Sequence, residues 1–381
     1  MKIGVVCYPT FGGSGVVATE LGIQMAKKGH EVHFITYSQP VRLDIFEPNI
    51  YYHEVNVHDY PLFEYQPYEL ALSSKMVDTV LNEGIDILHD HYAIPHAYAA
   101  YMAKQMLAAQ GIHIPIVTTL HGTDITLVGN HPFYKPAVEF SIHQSDVVTC
   151  VSESLKNHTY ELFSINNAIE VIPNFIDVQK HRSQFSDCDR GVMASKNERI
   201  VTHVSNFRPV KRIQDVIQIF YTIQQSISAK LMMIGDGPDR ALAEEMCRNL
   251  GIENKVIFFG NTNEVNRILC FSDLFLLPSE TESFGLAALE AMMSETPLVA
   301  SNRGGIPEVV QHGVCGYLAS VGDIKAMSNF ALDILLEDSV LNQFKSEALR
   351  VAKNFDISKV VPLYEKAYNN AIERVAFQSG L

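Results

Sequence analysis

Two carboxylates eight residues apart, Glu282 and Glu290, bracket the segment Ser283-Phe284-Gly285-Leu286-Ala287-Ala288-Leu289, which follows the apolar run LFLLPS (274–279) almost directly. A strand that passes at once into a helix leaves free N–H groups and a positive dipole end at the junction, where a phosphate or a sugar hydroxyl can be held. With the helix read as starting near Phe284, Glu282 falls in the preceding loop and Glu290 two turns further on. Each carboxylate can accept paired hydroxyls of a pentose or hexose. A capping Glu and a solvated helix face would use the same two residue types; the Ser-Phe-Gly flank in this strand-helix setting favours binding. Upstream, VSNFRPVKR (204–212) puts Arg208 and Lys211 in the loop after another strand. Arg offers a planar fork to two oxygens and Lys a point charge, so the pair suits a diphosphate and the charge that grows on a departing nucleotide. Arg212 reads as surface charge.

The first apolar run ends in Tyr8-Pro9-Thr10-Phe11-Gly12-Gly13-Ser14-Gly15 and leads into a helix, a seat for an anion. Gly13-x-Gly15-x-x-Ala18 satisfies a loose dinucleotide fingerprint, but the second strand ends in Thr36-Tyr37-Ser38 with no carboxylate for a ribose, which disfavours a nicotinamide cofactor. His121-Gly122-Thr123-Asp124 ends a further strand; His121 can bond to a substrate hydroxyl or offer its carbonyl to developing positive charge, and a satisfied structural histidine is the plain alternative. His89 and His91 share a strand face near His96, yet no Cys or Glu at a suitable spacing completes a metal set, so a pocket wall with Tyr92 is the preferred reading and no metal is expected. Asp187-Cys188-Asp189 has the form of a metal-nucleotide D-x-D but follows no nucleotide-binding strand, and is read as solvated charge.

The elements that must position these residues alternate along the whole chain of 381 residues, 47% of them hydrophobic. Runs at 2–8, 31–37, 85–92, 114–122 and 146–152 form one series of strands, with helices such as 16–28 and 96–110 between them. Runs at 199–206, 230–237, 255–261, 274–279 and 296–302 form a second. Apolar strands alternating with helices indicate an α/β chain of parallel sheets covered on both faces, here two Rossmann-like doubly wound domains facing across a cleft. The polar stretch 178–197 reads as the linker or an interdomain loop, and the domains as 1–172 and 173–361. Such sheets bind ligands beyond the carboxyl ends of their strands, where the residues above fall.

The net charge is −14, and residues 1–170 carry 8 Lys and Arg against 18 Asp and Glu. That half should repel nucleic acid and anionic lipid, and no basic amphipathic helix offsets it. No apolar stretch reaches membrane-spanning length and Met1 leads straight into a strand, so a cytoplasmic enzyme without nucleic-acid or membrane partners is expected. The six cysteines form no C-x-x-C pair and read as buried or free thiols. A homo-oligomer is left open.

Taken together, the glycine loop, HGTD (121–124), the Arg208/Lys211 loop, the Glu282/Glu290 pair and GGIPEVV (304–310) resemble the retaining GT-B glycosyltransferases of family 4, across essentially the whole chain. More narrowly, CYPTFGGSGVVATELG, HDHYAIPHAYAAYMAKQM and TTLHGTDIT are similar to members that make a GlcNAc-malate for bacillithiol biosynthesis. The resemblance implies transfer of N-acetylglucosamine from UDP-GlcNAc to the hydroxyl of L-malate, with retention and without a metal or other cofactor. It implies that Glu290 holds the ribose, Glu282 the donor sugar, backbone at Phe284, Gly285 and Leu286 the sugar and phosphate, and that Gly13 approaches the diphosphate. It assigns a final helix, 362–381, back to the first, acceptor-binding domain and makes 173–361 the donor domain. Many members carry Arg where this chain has Asn206, five residues before Lys211, with Arg208 two places later. For the malate carboxylates the first domain offers the Ser14 helix N-terminus, Arg42, Tyr92 and Thr119. Rival readings are the same fold with a lipid, inositol phosphate or polysaccharide acceptor, a UDP-GlcNAc 2-epimerase, and a non-catalytic nucleotide-sugar sensor.

Overall fold

The computed structural model describes all residues except 11, 58–62, 184–189, 196, 263 and 380–381. Two compact units divide the chain, Met1–Asn174 with Ile357–Leu381 in one and Phe175–Asp356 in the other.

The first unit is built on strands β1 (Lys2–Val6), β2 (Glu31–Thr36), β3 (Ile50–Glu54), β4 (Ile87–His91), β5 (Ile116–Leu120), β6 (Val147–Cys150) and β7 (Ile169–Val171), all parallel, in the order β3-β2-β1-β4-β5-β6-β7. Helices α1 (Ser14–Lys27), α2 (Tyr68–Glu83), α3 (Tyr98–Ala108), α4 (Lys135–Gln144) and α5 (Glu153–Leu162) connect them, and single irregular turns occupy Ala93–Ala97 and Thr123–Leu127. Parallel strands covered on both faces need apolar residues at successive positions rather than alternate ones, and β4, β5 and β6 are buried at every residue. One sheet face, with Val6, Ile35, Leu88 and Ile116, packs on Leu72 and Met76 of α2 and Ala99, Ala100 and Ala103 of α3. On the other, Tyr364 and Tyr368 of the chain's last helix pack against His89.

The second unit carries β8 (Arg199–Val204), β9 (Ala229–Ile234), β10 (Val256–Gly260), β11 (Leu274–Leu277), β12 (Leu298–Ser301) and β13 (Gly316–Ala319), parallel, in the order β10-β9-β8-β11-β12-β13. Its helices are α6 (Val178–Ser183), α7 (Ile213–Ser226), α8 (Arg240–Asn249), α9 (Val265–Phe271), α10 (Leu286–Met293), α11 (Ile306–Val309), α12 (Ile324–Leu335) and α13 (Asp338–Ala352); α14 (Ile357–Ser379) then returns to the first unit. The apolar stripe of α7, with Ile213, Val216, Ile217 and Phe220, meets Leu231 and Met233 of β9 and Met327 and Ala331 of α12 in one core.

Several expectations are corrected. The unit boundary falls between Asn174 and Phe175 rather than at 172/173, and the returning segment begins at Ile357 rather than 362. The stretch 178–197 does not link the units: it lies inside the second, and α6 forms its start. Arg190, in that stretch, is tied down by Asp273 at 2.5 and 2.9 Å and by the carbonyls of Glu198 and Phe271. Asp187-Cys188-Asp189 lies outside the described residues. Three strands, β3, β7 and β13, went unread; each is an edge strand, and only its ends or a single residue are fully buried, so no apolar run marks it. Cys7, Cys150, Cys247 and Cys315 are the buried, free thiols expected, whereas Cys270 is disulfide-bonded.

Candidate active site

In each sheet, strand order reverses once, between β1 and β4 in the first unit and between β8 and β11 in the second. At such a point the loops leaving two neighbouring strands diverge to opposite faces and open a crevice at the strands' carboxyl ends. In the second unit the loop after β8 carries Asn206, Arg208 and Lys211, and the loop after β11 carries Glu282. The two loops meet: Lys211 Nζ lies 2.6 Å from Glu282 Oε1, to which the Ser279 hydroxyl also donates at 2.8 Å. The Glu280 N–H donates to the Val210 carbonyl at 2.8 Å, and Arg212 bridges Asp215 at 2.6 Å and Glu280 at 3.3 Å, so backbone and side chains hold the loops together. Arg212, read as surface charge, is therefore a strut of this junction.

The loop after β12 completes the wall. Gly304 has φ +63°, and a Cβ added to it would sit 2.1 Å from the Glu282 carbonyl oxygen; the Gly305 N–H donates to that same oxygen at 2.7 Å. Only glycine allows this approach, which is why GGIPEVV begins with two of them. Helix α10 starts at Leu286, two residues later than expected, with Gly285 in the left-handed region before it, so Glu290 stands on its second turn, half-buried. Phe284 is buried, its ring edge-on to Phe355 with centroids 5.6 Å apart; its side chain is core, and only its backbone is available to a ligand. Arg208 and Asn206 are exposed, and no ion pair holds the Arg208 guanidinium among the described residues. His203, one strand turn below, donates through Nδ1 to the Leu276 carbonyl and accepts at Nε2 from Ser205, and burial lowers its pKa to about 4, so it is a neutral brace for the loop.

In the first unit the same logic joins the loops after β1 and β4. Gly13, at φ +62°, precedes α1, and the Ser14 hydroxyl donates to the Tyr92 oxygen at 2.7 Å. Tyr92 itself has φ +91°, an uncommon state for a bulky residue, and its ring leans on His121 at 5.2 Å. His121 shares a proton with His91, Nε2 to Nδ1 at 2.8 Å, and burial lowers its pKa to about 3, so it acts as a neutral hydrogen-bonding group. Gly13, Ser14, Tyr92 and His121 thus come together. Arg42 lies 3.7 Å from Glu20 of α1, and Thr119 is fully buried, its hydroxyl shared by His89 and Thr149. Thr119 is a core residue in this structure. His89 bonds to Thr119 and Tyr368, which makes it a structural histidine rather than a pocket wall. No cluster of three or more metal-binding side chains occurs among the described residues. Ser279 was not singled out, Arg212 and His91 were read as surface charge and as part of a pocket wall, and Asp124 stood inside HGTD without a role of its own.

Two doubly wound parallel sheets, the second with a Lys–Glu pair at its switch point, define the GT-B class of glycosyltransferase fold. Residues 189–351 match the model for glycosyl transferases group 1 and residues 11–180 that for glycosyltransferase family 4. The chain is 48% identical, over 98% of its length and 97% of the relative's, to N-acetyl-alpha-D-glucosaminyl L-malate synthase of Bacillus anthracis. An uncharacterized glycosyltransferase of Methanocaldococcus jannaschii is 29% identical over 83% of this chain and 84% of its own. Among solved structures, Anabaena HepE in complex with UDP and glucose shares the fold with a TM-score of 0.81 at 20% identity, covering 97% of this chain and 99% of that one. The chain belongs to glycosyltransferase family 4 and is a glycosyltransferase.

Proposed function

We propose that the protein transfers N-acetylglucosamine from UDP-GlcNAc to the hydroxyl of L-malate, releasing UDP, as the first step of bacillithiol biosynthesis. The observation that carries the reading is the meeting of Lys211 and Glu282 at the switch point of the second sheet. It is supported by 48% identity to a relative named N-acetyl-alpha-D-glucosaminyl L-malate synthase. In the free site each charge is the other's counter-ion. A diphosphate arriving there exchanges with the carboxylate at Lys211, and Glu282 turns to the hydroxyls of the sugar. Arg208 adds its fork to the β-phosphate, Glu290 takes the ribose hydroxyls, and the backbone at Gly285 and Leu286 meets phosphate or sugar. Asn206 lines the same loop.

Double displacement would require a carboxylate on the sugar face opposite the leaving group, as in retaining glycosidases, and none was found in the sequence. The reading is therefore front-face substitution with retention. The bond from C1 to the β-phosphate oxygen breaks, the malate oxygen bonds to C1 on the same face, and its proton passes to a β-phosphate oxygen of the departing UDP. Arg208 and Lys211 stabilise the charge that accumulates on that UDP, without a metal. The first unit receives malate. Gly13 and the Ser14 N–H of α1 face anionic oxygens, Tyr92 and neutral His121 orient the hydroxyl, and Arg42 approaches a carboxylate by leaving Glu20. The reading includes a cytoplasmic location, where nucleotide sugars and malate are available.

The test is UDP release from UDP-GlcNAc by purified protein in the presence of a chelator, with and without L-malate, with the product mass measured. Malate-dependent release of UDP with formation of GlcNAc-malate is expected. Release that ignores malate would point to the epimerase or a hydrolase, and none at all to another acceptor or a sensor.

A further inference from the structure

We infer that Asp124 is the positioning residue of the acceptor side: its single carboxylate clamps the turn that carries Tyr92 to the turn that carries His121. Oδ2 accepts the Ala93 N–H at 2.9 Å, from the loop after β4, while Oδ1 accepts the N–H groups of Gly122 at 2.9 Å and His121 at 3.2 Å, from the loop after β5. The side chain is 2% exposed, so water does not compete for these bonds. Both turns need holding. Tyr92 at φ +91° and Gly122 at φ +112° lie in the left-handed region, and a strained non-glycine residue persists only where its surroundings over-determine it. Asp124 is one of several restraints on the Tyr92 turn, which also include the Tyr92 N–H to the Thr119 carbonyl at 2.9 Å, the Ala97 N–H to the Tyr92 carbonyl at 3.2 Å, the His96 ring on the His91 carbonyl and the Ser14 hydroxyl. Among these, Asp124 is the one that also reaches the His121 backbone.

The clamp needs an ionised carboxylate, because all three partners are N–H donors and a protonated oxygen would set a donor against a donor. Burial raises the pKa of Asp124 to about 6, against the pull of its backbone donors. Tyr8 and Tyr92 are pushed up to about 12, His96 and His121 are lowered to about 4 and about 3, and His91 lies well below its usual range. α5, which packs on the turn, buries Leu155 and Thr159 on its inner side, its Glu153 and Lys156 pair with each other at the surface, and it also carries the half-buried His158 and the exposed Glu161.

The inference rests on the proposed acceptor role of Tyr92 and His121, and the experiment separates the two. The reference is malate-dependent UDP release by the unaltered enzyme at pH 7.5; its absence would remove the functional reading and with it the role of the clamp. Given that activity, Asp124→Asn is expected to lower kcat/KM for malate on the order of tenfold to a hundredfold, as slight misplacement of reacting groups does. UDP affinity, set in the other unit, stays unchanged. The unaltered enzyme should lose malate kcat/KM below about pH 6, with binding of UDP-GlcNAc, which has no terminal phosphate to protonate, level over the same range, and Asp124→Asn should flatten that limb. The profile of the unaltered enzyme keeps the test intact should the variant fold poorly. An equal loss in malate and UDP parameters, or an acid limb that survives in Asp124→Asn, would overturn the inference.

Discussion

Replacing Gly304 by alanine should damage donor use out of proportion to its effect on stability. The residue sits at φ +63°, where a Cβ costs about 1–2 kcal/mol. That Cβ would lie 2.1 Å from the Glu282 carbonyl oxygen, and contacts under 3.0 Å are essentially never seen, so the Glu282 backbone must retreat by roughly 1 Å. Retreat also weakens the 2.7 Å bond from the Gly305 N–H, worth about 1 kcal/mol. The expected destabilisation is about 2–3 kcal/mol, or about 5–10 °C in the melting of a unit of this size. Displacing Glu282 by that distance should lower kcat/KM for UDP-GlcNAc about a hundredfold. Gly313→Ala is the control: φ is +75°, but nothing lies within 4 Å of the added Cβ, so it carries the backbone strain without the collision. Thermal unfolding and donor kinetics on both variants decide the matter. A Gly304→Ala enzyme within about twofold of the unaltered one, or a Gly313→Ala enzyme equally impaired, would refute the argument that this glycine exists to seat Glu282.

Three further outcomes follow from the same geometry. Lys211→Met should cost roughly 1–3 kcal/mol, because the half-enclosed Glu282 keeps only the Ser279 hydroxyl, while Lys211→Met/Glu282→Gln should cost less than the two single changes together; a urea double-mutant cycle reads this, and strict additivity would contradict it. Arg208→Ala should leave the melting temperature unchanged, since the exposed side chain holds nothing, yet lower kcat on the order of a hundredfold; an equal fall in stability would mean that its role is structural. Asp90 is fully buried with no partner for either oxygen among the described residues, and burial raises its pKa well above the usual carboxylate range. With the folded pKa raised, its contribution is fully present below the unfolded value near pH 4 and is lost as pH rises, so Asp90→Asn should be more stable than the unaltered protein by a margin that grows as pH rises above about 4. A margin independent of pH in urea titrations would refute this.

Much of the site was legible locally. A glycine loop entering a helix, two basic residues after a strand, and a carboxylate before a helix each follow from chain-local rules, and Gly13, Ser14, Lys211 and Glu282 stand where those rules put them. Thr119, offered by the first domain for the malate carboxylates, is instead covered by α14, some 240 residues later, whose Tyr364 and Tyr368 lie on that face of the sheet. Phe284 was expected to offer its backbone to a ligand, and what the sequence could not show is that its ring fills a space next to Phe355. His89 and His91 lie on one strand face, yet both nitrogens of His89 are taken by Tyr368 and Thr119 and the Nδ1 of His91 by His121, partners that no spacing rule points to.

By itself the sequence determined the class of fold, since alternating buried runs and amphipathic helices can satisfy backbone and apolar groups together only as parallel sheets covered by helices. It also determined which loops could carry chemistry. The tertiary structure alone decided which of those loops meet. Ser14 and Tyr92 are 78 residues apart, Lys211 and Glu282 are 71 apart, and each pair is joined because strand order reverses between the two strands that precede them. Strand order is a property of long-range burial: the same local patterns would satisfy other permutations of the sheet, and only the packing of whole faces selects one. The edge strands β3, β7 and β13 escaped the sequence for the same reason, because a half-exposed strand is defined by the neighbour it pairs with and not by its own residues.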